Sequence, residues 1–285
     1  MLIKKLYKGF LYCLPHQIAH SMIFYRRHGK RGNFKTPSTY DEKIHWLILN
    51  YYDDKYAKYA DKILVRDYVR ECGLSNILIP LAGKGVYDQL TLQDFEDMPN
   101  KFILKANHAS GEEYYYICKD KSTLDYNEAI HKINDSLHHN YAHKDCEYHY
   151  RTIKRRIICE ELLESDEERM TDYKVICSYG KVIAILVCTN REEGRDYYSP
   201  DWEYLNYTMD KYHSSTLTEK PKKLKEMLNY ASILGKPFPL ARVDFYYTND
   251  TIYFGEITLT PSGGNHENLT MKGQIELGKR IQLPE

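Results

Sequence analysis

The chain has 285 residues, with 40 basic and 40 acidic side chains. That length suits one large domain or two subdomains, and the balanced charge excludes a bulk pull toward nucleic acid. Seven cysteines without a C-x-x-C pair exclude a disulfide framework and a zinc site, and fit a reducing, cytoplasmic setting. No run of 18 apolar residues is present, so nothing is expected to span a membrane. The start, MLIKKLYKGFLYCLPHQIAHSMIFYRRHGKRG, is basic and aromatic but lacks a small-residue cleavage site. It reads as a helix packed on the body, with an interfacial membrane helix as the alternative.

The first hundred residues read as mainly helical. TPSTYDEKIHWLILNYY has a Ser/Thr/Asp cap, an acidic first turn and Ile44, Leu47 and Ile48 at helical spacing. YADKILVRDYVRECG reads as one further helix, stopped at Gly73. LIPLAGKGVYD is strand and loop, and KFILKANHASGEEYYYICKD is strand, glycine loop and strand. TLDYNEAIHKINDSLHHNY is a helix. RRIICEELLES and DYKVICSYGKVIAILVCTN are strands, the latter a hairpin around Tyr179-Gly180. PKKLKEMLNYASILG is a helix, ARVDFYYTNDTIYFGEITLTPSGG a hairpin, and a short helix closes the chain. The irregular alternation with several hairpins predicts an α+β fold.

Three places carry candidate chemistry. Lys105 ends an apolar strand before a loop with His108, Ser110 and Gly111, where an ammonium and backbone N–H groups can hold phosphates. An edge-strand lysine reaching water is the alternative. In the last hairpin, side-chain alternation puts Arg242 and Asp244 on one face, and Asp244 and Glu256 on adjacent strands. Two close carboxylates suit Mg²⁺ between protein and phosphate, or an ion-pair cluster with Arg242. In ICEELLESDEERMTDYKV, Glu160 and Glu161 precede an acidic loop and then Asp172 and Lys174 on a new strand. That segment can meet an adenine and a ribose, or be a solvated acidic loop.

In order, PSTYDEKIHWL, ADKILVRDYV, FILKANHASG, DYKVICSYGKV and RVDFYYTNDTIYFGEITLTPSGG resemble the ATP-grasp enzymes, and among them the TupA-like group of teichuronopeptide, capsule and other cell-envelope polysaccharide loci. The resemblance covers roughly residues 30–285. It implies a helical region over 1–60 and an ATP-grasp domain over 61–285, whose subdomains, about 100–155 and about 156–285, grip ATP. Carried over by motif, Arg66 and Lys105 would bind phosphates, with His108, Ser110 and Gly111 in the phosphate loop. Glu160, Glu161, Leu162 and Leu163 would form the adenine hinge, and Asp172 would bind the ribose. Asp244, Glu256 and Thr258 would hold Mg²⁺, Thr258 standing where the group usually has Asn. Arg242 would stabilise the acylphosphate transition state, and Lys174, Arg191 and Arg195 are further candidates near the transferred phosphate. Thr260 to Gly264 would lie near the acceptor.

The implied activity is an ADP-forming carboxylate–amine ligase acting through an acylphosphate. It would join an amino acid or other amine to a uronic-acid-type unit in cell-surface polysaccharide biosynthesis. The setting would be cytoplasmic, with contact at the inner membrane face through the basic start, and with no nucleic-acid partner. A glycosyltransferase holding a metal on a nucleotide-sugar diphosphate is one alternative. A non-catalytic nucleotide-binding protein of the same fold is the other.

Overall fold

The computed structural model describes residues 9–164, 170–189 and 194–285. Its helices in chain order are α1 (His16–His28), α2 (Tyr40–Asn50), α3 (Ala57–Ala60), α4 (Val65–Glu71), α5 (Tyr126–Ser136), α6 (Leu224–Gly235) and α7 (Met271–Arg280). The strands are β1 (Leu81–Tyr87), β2 (Phe102–Ala106), β3 (Tyr115–Cys118), β4 (Ile157–Glu161), β5 (Asp172–Ser178), β6 (Lys181–Cys188), β7 (Arg195–Tyr198), β8 (Tyr204–Leu205), β9 (Ala241–Thr248) and β10 (Thr251–Thr258). They fall into two compact units, one of residues 1–53, 143–148 and 165–285, the other of 54–142 and 149–164.

The first unit is built on a six-stranded antiparallel sheet in the order β10-β9-β5-β6-β7-β8. Its hairpins follow from turn chemistry. Asn249 and Asp250 both take positive φ (50° and 54°), and so do Tyr179 and Gly180 (47° and 77°). Two successive left-handed residues give the tight turn whose twist matches the strands. On β9, Ala241, Val243 and Phe245 are buried on one face, while Arg242, Asp244 and Tyr246 share the other. Helix α6 packs its buried Leu224, Met227, Ala231 and Leu234 in contact with β5, β6 and β9. On β10 the register shifts after Phe254, so that Glu256 pairs with Asp244 and Thr258 with Arg242. Gly255 is the extra residue of this β-bulge. The buried residues of β10 and its exit run Ile252, Phe254, Ile257 and Leu259, which leaves Glu256 and Thr258 on the other face.

Helix α2 starts as its sequence predicts. Thr39 and Glu42 form a reciprocal capping box, with Glu42 N–H donating to Thr39 Oγ1 at 3.4 Å and Thr39 N–H donating to Glu42 Oε2 at 3.1 Å. Its N-terminal residues Tyr40 and Asp41 are buried.

The second unit carries a four-stranded antiparallel sheet, β1-β4-β2-β3. Phe102, Leu104, Ile157 and Cys159 fill the core with Ala129 and Ile133 of α5. Lys105 and Glu160, one step out of phase with those residues, therefore lie on the opposite face. The single helix expected over YADKILVRDYVRECG is broken. Asp61 takes extended backbone (ψ 114°), and its carboxylate accepts the N–H groups of Ile63 at 2.8 Å and Leu64 at 3.3 Å. A side chain that satisfies backbone donors locally competes with the helix. Helix α4 then begins at Val65 and ends as expected at Gly73, whose φ is +76°.

Candidate functional site

In the second unit, Glu160 holds two cations. Arg66 Nη1 donates to Glu160 Oε1 and Lys105 Nζ to Oε2, each at 2.8 Å. Arg66 also donates through Nη2 to the Ile79 carbonyl at 2.9 Å. Burial pulls the Arg66 guanidinium down from its usual range, and Glu160 works against that pull. The strand lysine and the helix arginine picked out in the sequence are thus brought together, and the anion between them is the first residue of the expected hinge. Glu161 is exposed, and Leu162 and Leu163 are half-buried.

The loop after β2 is split. Ser110 is exposed and Gly111 takes φ +134°. His108 is buried, with its Nε2 3.2 Å from the His139 carbonyl, and burial lowers it to about 4. A neutral imidazole turned to the interior does not offer phosphate a charge. Asn107 fixes this stretch by donating to the Lys154 carbonyl at 3.0 Å and accepting the Arg156 N–H at 2.7 Å.

In the first unit, one face of the six-stranded sheet gathers every described candidate of its sequence set. Arg242 grips Asp244 side-on, Nε to Oδ1 and Nη2 to Oδ2, both at 2.7 Å. The same Nη2 reaches Thr258 Oγ1 at 3.1 Å and Glu256 Oε1 at 3.2 Å, and Thr258 donates to Glu256 at 3.1 Å. From the neighbouring strand, Lys174 Nζ lies 2.7 Å from Asp244 and 3.2 Å from Asp172. These contacts follow from the register, since Lys174 pairs with Asp244 and Asp172 with Tyr246. Arg195 pairs with Cys188, which in turn pairs with Asp172, and its guanidinium lies 5.8 Å from the Tyr212 ring centroid. Arg191 lies outside the described residues.

The electrostatics follow from burial. The Asp244 side chain is only 5% exposed. Burial disfavours the charges of Arg242 and Lys174, but the acids around them together outweigh it, Asp244 with Glu256 for Arg242 and Asp244 with Asp172 for Lys174, and each is held firmly protonated. Mg²⁺ takes oxygen ligands, usually one or two carboxylates completed by phosphate and water. Asp244, Glu256 and Thr258 are the right donor type. As arranged, however, both Asp244 oxygens are taken by cations, and among the described residues no group of three or more His, Cys, Asp or Glu is set to hold a metal. The three residues therefore do not fit Mg²⁺ in this arrangement. They fit the ion-pair cluster that the sequence allowed as its alternative.

Several buried groups next to this face have no motif. Glu147 accepts a hydrogen bond from Thr260 Oγ1, and burial, with Asp145 adding to it, pushes the Glu147 carboxyl up to about 8. Asp41 accepts from His266 N–H at 3.0 Å and Gln274 Nε2 at 2.6 Å, and lies 2.5 Å from His266 Nδ1. Burial pushes the Asp41 acid upward, but His266 together with His28 more than reverses it and keeps the carboxylate ionised. Asp41 thereby pins the loop that follows β10, where Ser262, Gly263 and Gly264 all take positive φ. Burial also keeps the neighbouring pair His45 and His20 neutral, at about 4 and about 3, with their Nδ1 atoms 2.8 Å apart. Asp41 was legible only as a helix first-turn acid. Glu147 had no local signal, since Thr260 is 113 residues away.

A family model described as TupA-like ATPgrasp matches residues 42–282, and the chain belongs to that family. The expected α+β class and ATP-grasp fold are those of the family. No match was found among curated proteins. Similar solved structures include the L-amino acid ligase from Bacillus licheniformis (16% identity, 88% of this chain and 56% of that one, TM-score 0.47). The D-alanine–D-alanine ligase from Bacillus anthracis is similar at 17% identity (78% and 66%, TM-score 0.43). So is the ADP complex of purK, an N5-carboxyaminoimidazole ribonucleotide synthetase, at 14% identity (80% and 52%, TM-score 0.47). The chain spans between 52% and 66% of the length of these three proteins.

Proposed function

We propose that the chain is an ADP-forming carboxylate–amine ligase of the cytoplasm, acting at the membrane's inner face. Its product would be an amide between an amino acid or other amine and a uronic-acid-type unit of a cell-surface polysaccharide. The observation that carries the reading is the convergence of Arg242, Asp244, Glu256, Thr258, Lys174 and Asp172 on one sheet face, in a chain of the TupA-like family. Seven unpaired cysteines suit the cytoplasm, where ATP is at hand as its Mg²⁺ complex.

In the reaction a substrate carboxylate oxygen attacks the γ-phosphorus of ATP, and the bond to ADP breaks. The amine nitrogen then attacks the acyl carbon, inorganic phosphate leaves, and the amine proton passes to solvent. Carboxylate, ATP and acylphosphate are all anionic. Arg66 and Lys105 would meet the nucleotide phosphates, kept in place by Glu160. Arg242 and Lys174 would face the transferred phosphoryl group, aimed in advance by Asp244. Preoriented charge of this kind needs no reorganisation as the transition state forms. Asp172 would take the ribose.

The saturation of Asp244 favours one second reading, a nucleotide-binding protein of the same fold without ligase turnover. Two measurements separate them. A non-hydrolysable ATP analogue with Mg²⁺ should raise the melting temperature by mass action. ADP release should then depend on both a uronic acid and an amine. A thermal shift without amine-dependent ADP release supports the second reading, and no shift at millimolar nucleotide removes both.

A further inference from the structure

Helix α1 is apolar on two opposite faces. One face is buried, with Ala19, Ile23 and Phe24 in the core and His20 Nδ1 2.8 Å from His45 Nδ1. At 100° per residue, Ile18, Met22 and Tyr25 fall on the side away from that core. They are 50%, 37% and 59% exposed. Positions i, i+4 and i+7 make one continuous stripe along the helix. Since α1 is already anchored by its inner face, this outer stripe adds nothing to the core. Single exposed apolar residues are ordinary, but an aligned stripe on a fixed helix marks a contact surface.

Charge says what the surface meets. The first forty residues hold eight Lys or Arg and no Asp or Glu, so the basic charge at the start is offset by an acidic excess in the rest of the chain. Arg26 and Arg27 lie in the last turn of α1, which ends at Gly29 in left-handed backbone. Lys30, Arg31 and Lys35 follow, all exposed. Arg27 is paired with Glu267. Lys30, Arg31 and Lys35 follow the stripe in sequence, with no acidic residue among them.

We propose that α1 docks the protein on an anionic lipid bilayer. Ile18, Met22 and Tyr25 enter the interface, and Lys30 and Arg31 lie against the lipid phosphates. Neither signal suffices alone, since stable peripheral attachment takes an apolar and an electrostatic contribution together. Tyrosine suits the headgroup level, with an apolar ring and a polar tip. Each basic residue near an anionic surface is worth about fivefold in partition. The docking rests on and deepens the membrane-face part of the proposed function but depends on no step of the ligase reaction, so a failed vesicle test leaves the ligase chemistry standing and absent turnover leaves the docking standing.

The test uses the full chain with sucrose-loaded vesicles, one set of phosphatidylcholine alone and one with about a third phosphatidylglycerol. At low salt the protein should sediment with the anionic set at least about tenfold better than with the neutral set, and salt near 0.5 M should abolish the difference. Substituting Ile18→Ser, Met22→Ser and Tyr25→Ser together should lower partition about tenfold or more while the melting temperature is kept. The pair Lys30→Glu and Arg31→Glu should do the same by charge alone. Equal partition on both vesicle sets, no partition on either, or variants that bind like the parent would overturn the docking. So would a dimer that the triple serine variant dissolves in the absence of vesicle binding, which would assign the stripe to a second copy of the chain. The salt and lipid arms need no variant, so a poorly folding variant does not shield the idea.

Discussion

Asp244→Asn removes one negative charge from between two cations and leaves the side-chain volume nearly unchanged. Three contacts at 2.7 Å depend on that charge, two from Arg242 and one from Lys174. A charge-assisted hydrogen bond contributes about 1.5–3 kcal/mol, but three on one carboxylate do not add. Breaking a buried pair by neutralising one partner costs about 3–5 kcal/mol. Glu256 and Asp172, each 3.2 Å from one of the stranded cations, offset part of the loss. The lower end, about 3 kcal/mol, is therefore expected, or a fall in melting temperature of about 6 °C or more. By contrast, Asp172 is 19% exposed and makes one 3.2 Å contact with Lys174, so Asp172→Asn should cost about 1 kcal/mol or less. The assay is urea unfolding followed by tryptophan fluorescence. The chain has two tryptophans, Trp46 and Trp202, and both belong to the unit that carries the cluster. A Lys174→Met/Asp244→Asn cycle should show coupling of about 1–2 kcal/mol. If Asp244→Asn unfolds within about 0.5 kcal/mol of the parent, or Asp172→Asn is as harmful, the ion-pair account fails.

Two further outcomes are expected. Glu147 titrates near 8 when folded and near 4.5 when unfolded, so the folded state holds the extra proton between those values, and stability falls as pH rises through that window, by up to about 1.4 kcal/mol per pH unit. Glu147→Gln should remove that slope and gain on the parent from pH 5 to pH 8 in the same fluorescence assay; parallel pH profiles would count against a neutral buried acid. Glu160→Gln strips Arg66 and Lys105 of their common anion and should destabilise the second unit by about 3 kcal/mol. Hydrogen exchange should report it at β2 and β4 while the tryptophan transition stays put, and unchanged protection there would refute it.

The two sheet faces were legible because side-chain alternation is local. Arg242, Asp244, Lys174 and Asp172 could be placed on one face once their strands were recognised, and Lys105 likewise. The turns at Asn249-Asp250 and Tyr179-Gly180 were legible because left-handed backbone has its own residue preferences. What escaped depends on partners remote in the chain. Glu160 read as part of a nucleotide hinge, and only the fold brings Arg66 to it from 94 residues away. His108 read as a loop residue, but the stretch is drawn inward by Asn107. The break at Asp61 was missed because apolar spacing continued across it, while one side-chain oxygen captured two amides.

Gly255 stands outside the alternation of the last hairpin. Without it, Ile252, Phe254, Ile257 and Leu259 still alternate with Tyr253, Glu256 and Thr258, so deleting Gly255 would close the bulge and leave both faces as they are. A side chain at this position would be tight, because its Cβ would sit 3.1 Å from the Asp244 carbonyl oxygen. The bulge therefore alters the path of the strand and not its faces, and acid and arginine share one side of the sheet with or without it.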